Sequence, residues 1–408
     1  MAADASAEIG ADSSAHTSAD PSADTSKDRP ASTKYQHLYA HVPFCARRCS
    51  YCDFSIAVRR NVPVTEYVNA VANELAQRSA STMCAPLSTL YFGGGTPSRL
   101  GAEGVAALLR TVREHITLAP DAEVTLEANP EDVTAEAVAV WRASGVNRLS
   151  IGIQSFDDRV LRWMHRVHDA SSAERAVAIA RNGGLEHFSL DLIFAVPDSL
   201  ERDWVRDVDM MLALDPNHLS LYGLTVEPHT PLGRWHARGE VQETTEDRYE
   251  TEFLDAHNRL AAAGFEHYEV SNFAKPGHRA RHNSAYWSGA PYLGIGPSAH
   301  GFDGSQRRWN VAAYAAWLSL LQRGADPVAG AETLTAENRL SEQVYLGLRT
   351  RDGLAVTPAE HMHVQPWLEA GWVEWTERDA ESTLRCTPLG WLRLDALAAD
   401  LTALRSRL

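Results

Sequence analysis

From residue 35 onward, short apolar runs rich in β-branched and aromatic residues alternate with longer stretches of helical period. The pattern predicts strands over 38–42, 89–92, 123–127, 148–153, 188–194 and 219–224, and helices near 65–78, 103–115, 135–143, 173–182, 201–213 and 245–263. Six β-then-α units in succession predict an α/β fold whose parallel sheet has right-handed crossovers, either doubly wound or barrel-like. Two segments break the pattern. Residues 1–34 are mostly Ala, Ser, Asp and Thr, with only Met1 and Ile9 as large apolar side chains. That is too little burial to offset ordering entropy, so a disordered tail is expected. After about residue 335, Leu340, Val344 and Leu348 mark a helix, 372–375 and 383–386 read as a two-stranded wing, and 388–404 reads as a closing helix. The expected organisation is a tail over 1–34, a β/α domain over 35–265, a connecting segment over 266–334, and a small winged-helix-like α+β domain over 335–408.

In both parallel architectures the working residues sit in loops at the C-terminal ends of the strands. The motifs obey that rule. Cys45, Cys49 and Cys52 follow the first strand, Gly93-Gly94-Gly95-Thr96-Pro97 the second, Glu127-Ala128-Asn129-Pro130 the third, and Gln154-Ser155-Phe156 the fourth. Asp191 lies in the fifth, ahead of Ala195-Val196-Pro197. Turns alone do not account for polar or glycine-rich chemistry at the same end of each of these strands.

The three cysteines carry the most information. A C-x3-C-x2-C run supplies three soft thiolates to a four-iron, four-sulfur cluster and leaves one iron open for a chelating amine and carboxylate. A tetrahedral zinc site is the competing reading, and His41 could supply its fourth ligand. The glycine run reads as backbone that must approach a ligand closely, or as a strand-to-helix turn. Glu127, Gln154, Arg166 and Asp191 offer acceptors and one cation at the strand ends, which suits a ligand with an ammonium, a carboxylate and a diol; structural salt bridges are the plain alternative. In His282-Asn283-Ser284-Ala285-Tyr286-Trp287, an imidazole stands beside two aromatics in a stretch that reads as a basic loop, with His278, Arg279 and Arg281. Such a set suits haem iron, a porphyrin face and its propionates; the ordinary role of one histidine among seventeen is a hydrogen-bonded core or surface residue.

Composition narrows the function classes. The formal net charge of −15 argues against nucleic acid as main partner and against adhesion to anionic membranes. The region after residue 335 has no Lys and eight Arg against eleven acids, so its wing is expected to pack or to bind protein, and not to read DNA. Five cysteines make no disulfide framework and suit a reducing cytoplasm. Cys84 and Cys386 are isolated and read as packing residues. No run approaches the ~20 apolar residues of a membrane span.

Together these blocks resemble the HemW haem chaperones, relatives of the oxygen-independent coproporphyrinogen III oxidases in the radical S-adenosylmethionine (SAM) superfamily. The resemblance runs from about Tyr35 to the C-terminus. It implies a partial (β/α)6 barrel, a [4Fe-4S] cluster on Cys45, Cys49 and Cys52, and SAM held by Tyr39, Tyr51, Gly94, Gly95, Thr96, Glu127, Gln154, Arg166 and Asp191. It also implies haem on His282, within the family's HNxxYW motif, and a haem-accepting partner protein. Oxidative decarboxylation of coproporphyrinogen III is the alternative function. The oxidases have a further cysteine where this chain has Phe54 and lack the HNxxYW run, and both differences favour the chaperone. A smaller departure is Phe194-Ala195-Val196-Pro197, where the family has Tyr-Gly-Leu-Pro, which puts one backbone glycine contact in question.

Overall fold

Alternation along the strands organises the molecule. The computed structural model describes residues 35–79, 84–378 and 381–407; the expected N-terminal tail and the side chain of Cys84 lie outside the description. Strands β1 (Tyr35–Val42), β2 (Cys84–Gly94), β3 (Leu118–Ala128), β4 (Arg148–Gln154), β5 (Phe188–Phe194) and β6 (His218–Gly223) lie side by side in chain order. All are parallel. Helices α1 (Val64–Ser79), α2 (Gly101–His115), α3 (Ala135–Ser144), α4 (Ala170–Asn182) and α5 (Trp204–Ala213) cross between them, and α6 (Glu246–Ala262) follows β6. This is an open β/α barrel of six units.

Side chains of successive strand residues point to opposite faces. Leu38 and Ala40 pair in register with Leu90 and Phe92, and all four join the main apolar core with Val105, Leu108, Leu109 and Val112 of α2. Those α2 positions are spaced i, i+3, i+4, i+7, one helix face. The residues between them on the strands turn inward, so Tyr39 stacks on Tyr91 with ring centres 6.1 Å apart, inside the barrel. Helix starts are fixed locally: the side chains of Thr134, Asp169, Asp203 and Thr245 each accept a first-turn N–H.

The stretch read as a connecting segment is woven into the barrel sheet. It forms β7 (Glu266–Glu269), β8 (Asn272–Ala274), β9 (Tyr292–Ile295), β10 (His300–Phe302), β11 (Gln306–Asn310) and β12 (Val328–Thr333). Strand β9 adds in parallel to β1, and β8 adds antiparallel to β6. Among the described residues the sheet has twelve strands, in the order β12-β11-β10-β9-β1-β2-β3-β4-β5-β6-β8-β7. These strands are short and their patterns mixed, which hides them from a periodicity reading. The last region forms α7 (Ala336–Arg349), α8 (His361–Glu369) and α9 (Leu394–Arg405) around a small sheet of β13 (Leu354–Ala355), β14 (Val373–Arg378) and β15 (Glu381–Cys386). It is joined to the barrel by Arg349 on the buried Glu269 at 3.1 Å and by Trp391 against His267, ring centres 4.3 Å apart. Cys386 is buried in the core of this region.

Candidate functional site

At the C-terminal end of the barrel the loops after β1 to β4 meet around a cleft, part of it open to solvent. Cys45, Cys49, Tyr51, Cys52, Gly94, Gly95, Thr96, Glu127, Gln154, Arg166 and Asp191 all line it. Tyr39 does not. It is 3% exposed, and its hydroxyl pairs with His41 Nδ1 at 3.1 Å. Its inward position on β1 puts it beneath the cleft floor as a support for Gly93.

The cysteine loop is held from three sides. The Ser50 amide donates to the Met164 carbonyl at 3.1 Å, and the Ser50 carbonyl accepts from Leu232 at 2.7 Å. The Gly95 amide donates to the Val42 carbonyl at 2.8 Å. A Cβ on Gly95 would stand 2.6 Å from the Pro43 carbonyl oxygen and 3.0 Å from Cys45 Sγ. Gly94 has φ +115°, and a Cβ there would stand 2.7 Å from the His41 ring. The glycine run therefore lets the loop after β2 close against the loop after β1.

Burial raises the proton affinity of two of the three thiols. Burial pushes Cys45 up to about 11, opposed by a 3.5 Å contact from Thr96 Oγ1. Burial, followed by nearby Cys49, pushes Cys52 up to about 12. Loading a metal must release these protons. Among the described residues no three His, Cys, Asp or Glu side chains close on a single-ion position. The fourth ligand of the zinc reading is also committed: His41 Nε2 pairs with the Ser55 carbonyl at 2.9 Å while Nδ1 pairs with Tyr39.

The opposite wall carries the polar set. Glu127 accepts from the Tyr91 hydroxyl at 2.7 Å and from the Gly94 amide at 3.1 Å. Arg166 donates through Nη2 to Asn129 Oδ1 at 2.7 Å and to the Gly152 carbonyl at 2.8 Å, and through Nη1 to Cys49 Sγ at 3.6 Å. Asp191 is raised to about 6, chiefly by burial and then by the Glu127 charge. Gln154 stands at φ +71°, a costly conformation for a side chain with a Cβ. Its Oε1 is buried with no partner, as is Arg166 Nε. Buried polar atoms without partners are rare in folded proteins; these two sit in the wall of a cleft, where a ligand can complete them.

Sequence reasoning missed several lining residues. Ser150, Glu131 and His165 also face the cleft. Alternation along β4 could have given Ser150, which shares an inward row with Gly152 and Gln154. His165, at φ +59°, carried no signal beyond its place beside Arg166.

His282 lies elsewhere. The stretch read as a basic loop contains a helix, Arg281–Trp287, that plugs the N-terminal end of the barrel. The His282 ring is 1% exposed. Its Nδ1 pairs with Thr89 Oγ1 at 2.7 Å and its Nε2 with the Tyr286 hydroxyl at 2.8 Å. The ring stacks on Tyr91 at 5.0 Å. The backbone N–H groups of Arg281 and His282 both donate to Glu123, at 3.0 Å each. Arg279 is paired with Glu266 and Asp352, and Arg281 with Asp121. The stretch read as a basic loop is thus a helix whose histidine ring is buried and doubly bonded and whose neighbouring arginines are paired.

Similarity to known proteins agrees with the cleft. A profile of the Radical SAM superfamily matches residues 39–211. Haem chaperone HemW of Mycobacterium tuberculosis strain H37Rv is 43% identical over 322 residues, covering 78% of this chain and 82% of that protein. The haem chaperone HemW of Bacillus subtilis is 34% identical over 318 residues, covering 78% of this chain and 84% of that one. Coproporphyrinogen III oxidase from Escherichia coli, a radical SAM enzyme, superposes with a TM-score of 0.75 over 90% of each chain at 21% identity, which shows a shared fold. From these matches and the cleft they frame, the chain belongs to the HemW haem chaperone family of the radical SAM superfamily.

Proposed function

We propose that the protein carries a [4Fe-4S] cluster on Cys45, Cys49 and Cys52, holds SAM beside it, and delivers haem to an acceptor protein. The observation that carries this reading is the cleft itself, with three thiols on one wall and the unpartnered Gln154 Oε1 on the other. The residues fit the two groups. Three thiols suit the cluster, the backbone around Gly94 and Gly95 leaves room beside Cys45, and Glu127, Asp191 and Gln154 suit an ammonium and a diol. When bound, the cluster supplies an open iron and a source of one electron. Arg166 bridges the Cys49 thiol to the cleft wall and so orients that ligand. Glu127, tied to the Gly94 amide, fixes the glycine loop.

Decarboxylation of coproporphyrinogen III is the second reading, favoured by the shared fold with the oxidase. Phe54, in place of the oxidase's extra cysteine, argues against it. Free thiols at the site suit a reducing, cytoplasmic setting, and among the described residues no helix is long and apolar enough to cross a membrane.

The test is anaerobic reconstitution followed by haem loading and transfer to an apo-haemoprotein. Reconstituted protein should hold about four irons and four sulfides, take up haem, and pass it on. Glu127→Ala should weaken SAM ~10–100-fold with the cluster spectrum intact. Stoichiometric formation of protoporphyrinogen by cluster-loaded protein with reductant and SAM would replace the chaperone reading with the oxidase one.

A further inference from the structure

A second cavity, about 680 Å³, opens beside the cluster cleft, a size within the range of cofactor sites. Phe54 and Ile56 line both cavities and form the wall between them. The lining of the second cavity also includes His300, at the start of β10, and His229, in the loop after β6. These two imidazoles differ from the other histidines near the barrel interior. His282 and His41 have both ring nitrogens bonded. Neither His300 nor His229 has a side-chain hydrogen bond among the described residues. His300 is half-buried, and its ring lies nearly parallel to Trp309 (22°, centres 5.9 Å apart), so its orientation is fixed while its nitrogens stay free. Burial and then Arg307 lower its proton affinity, which keeps the metal-binding neutral form.

Resting on the haem-carrying reading above, we propose that the cargo haem sits in this second cavity, against Phe54 and Ile56, with its iron on His300 and not on His282. The step is simple ligation: a neutral imidazole nitrogen gives its lone pair to iron, and the ring proton stays on the other nitrogen. Arg48, which lines this cavity and donates through Nη1 to the Cys52 carbonyl at 3.2 Å, supplies a cation for a propionate; Asp53, also in the lining, disfavours a propionate at its own end. The arrangement also gives Phe54 a role. Where the oxidases place a further cysteine, this chain has a flat apolar face between cleft and cavity.

The experiment is a haem titration of cluster-loaded, full-length protein under anaerobic conditions, read by the Soret band and by iron and sulfide content. His300→Ala should lower haem affinity at least ~10-fold and lose the imidazole-ligated spectrum, and added free imidazole should restore it. Ala312→Trp, which puts a bulky ring into the cavity lining and leaves His300 in place, should also weaken haem. His282→Ala should keep the wild-type haem spectrum while melting at lower temperature. The inference is overturned if His300→Ala and Ala312→Trp both titrate as wild type. It is equally overturned if His282→Ala loses the haem spectrum with cluster content and melting temperature unchanged. If the wild-type protein takes no haem at all, the haem-carrying reading falls first and this inference with it.

Discussion

The two ends of one barrel contain the same kinds of residue in opposite states. At the N-terminal end, His282, Thr89, Tyr286 and Glu123 use one another's donors and acceptors, while Asn283 Oδ1 and Trp287 Nε1 on the same helix have no partner. At the C-terminal end, Gln154 Oε1 and Arg166 Nε stand buried and unpartnered beside thiols that burial holds protonated. Residue type did not separate these regions; the partners that each named side chain has do. A histidine with two aromatic neighbours is a core plug at one end, and a glutamine with an unpartnered oxygen lines the cleft at the other.

The largest effect that tests this contrast is loss of the cluster. Cys49→Ala should abolish the cluster's visible absorption after reconstitution, whereas His282→Ala should leave iron and sulfide content as in wild type. A cluster lost equally in both variants would mean that the ends are not independent.

Next in size is the stability of the plug. Glu123→Ala leaves two backbone donors at the start of the Arg281–Trp287 helix without their acceptor and should destabilise by about 2–4 kcal/mol. Thermal melts give the comparison, with Glu123→Gln intermediate because one carboxamide oxygen remains. An unchanged melting temperature for Glu123→Ala would show that the plug carries little of the fold's stability.

Much of this division was legible in the sequence. The six parallel strands follow from the alternation of apolar runs with helical periods, and the strand-end rule located the cysteines, the glycine loop, Glu127 and Gln154. Tyr39 shares the inward side of the sheet with the cleft residues, but its ring stacks on Tyr91 and its hydroxyl pairs with His41, contacts that the local sequence does not report. The burial of His282 was not legible either: its partners Thr89 and Glu123 lie 193 and 159 residues away, and no local pattern reports such pairings. The edge strands β7 to β12 were hidden because three- to six-residue strands have little periodicity, and their pairing is decided by neighbours already in the sheet.

A smaller effect comes from Asp191. Its folded-state value is raised from 3.8 to about 6, so the empty cleft is favoured when this carboxyl is protonated. That contribution is full below about pH 4, declines as pH rises through about 6, and leaves a net cost at pH 7. Asp191→Asn should therefore stabilise the ligand-free protein by on the order of 1–2 kcal/mol at pH 8 and by less at pH 5, because the open cleft screens part of the charge. SAM affinity should fall in the same variant. Equal stabilisation at both pH values would remove the carboxylate's charge as the cause.

The smallest effect separates strain kept for a ligand from strain kept for the fold. Gln154 ends β4 and Ala195 follows β5, both with left-handed backbone, φ +71° and +57°, and each costs about 1–2 kcal/mol relative to an unstrained residue. Ala195 stands where the resemblance expects glycine, and its amide donates to buried Glu252 at 2.7 Å, a bond any residue there can make. Ala195→Gly should therefore gain up to ~1 kcal/mol, reduced by the greater freedom of glycine in the unfolded chain, with SAM affinity unchanged. Gln154→Gly should gain a similar amount and lose SAM affinity, because the side chain removed carries the unpartnered oxygen of the cleft. If both variants keep full affinity, the strain at Gln154 belongs to the fold and the cleft must recognise its ligand without that oxygen.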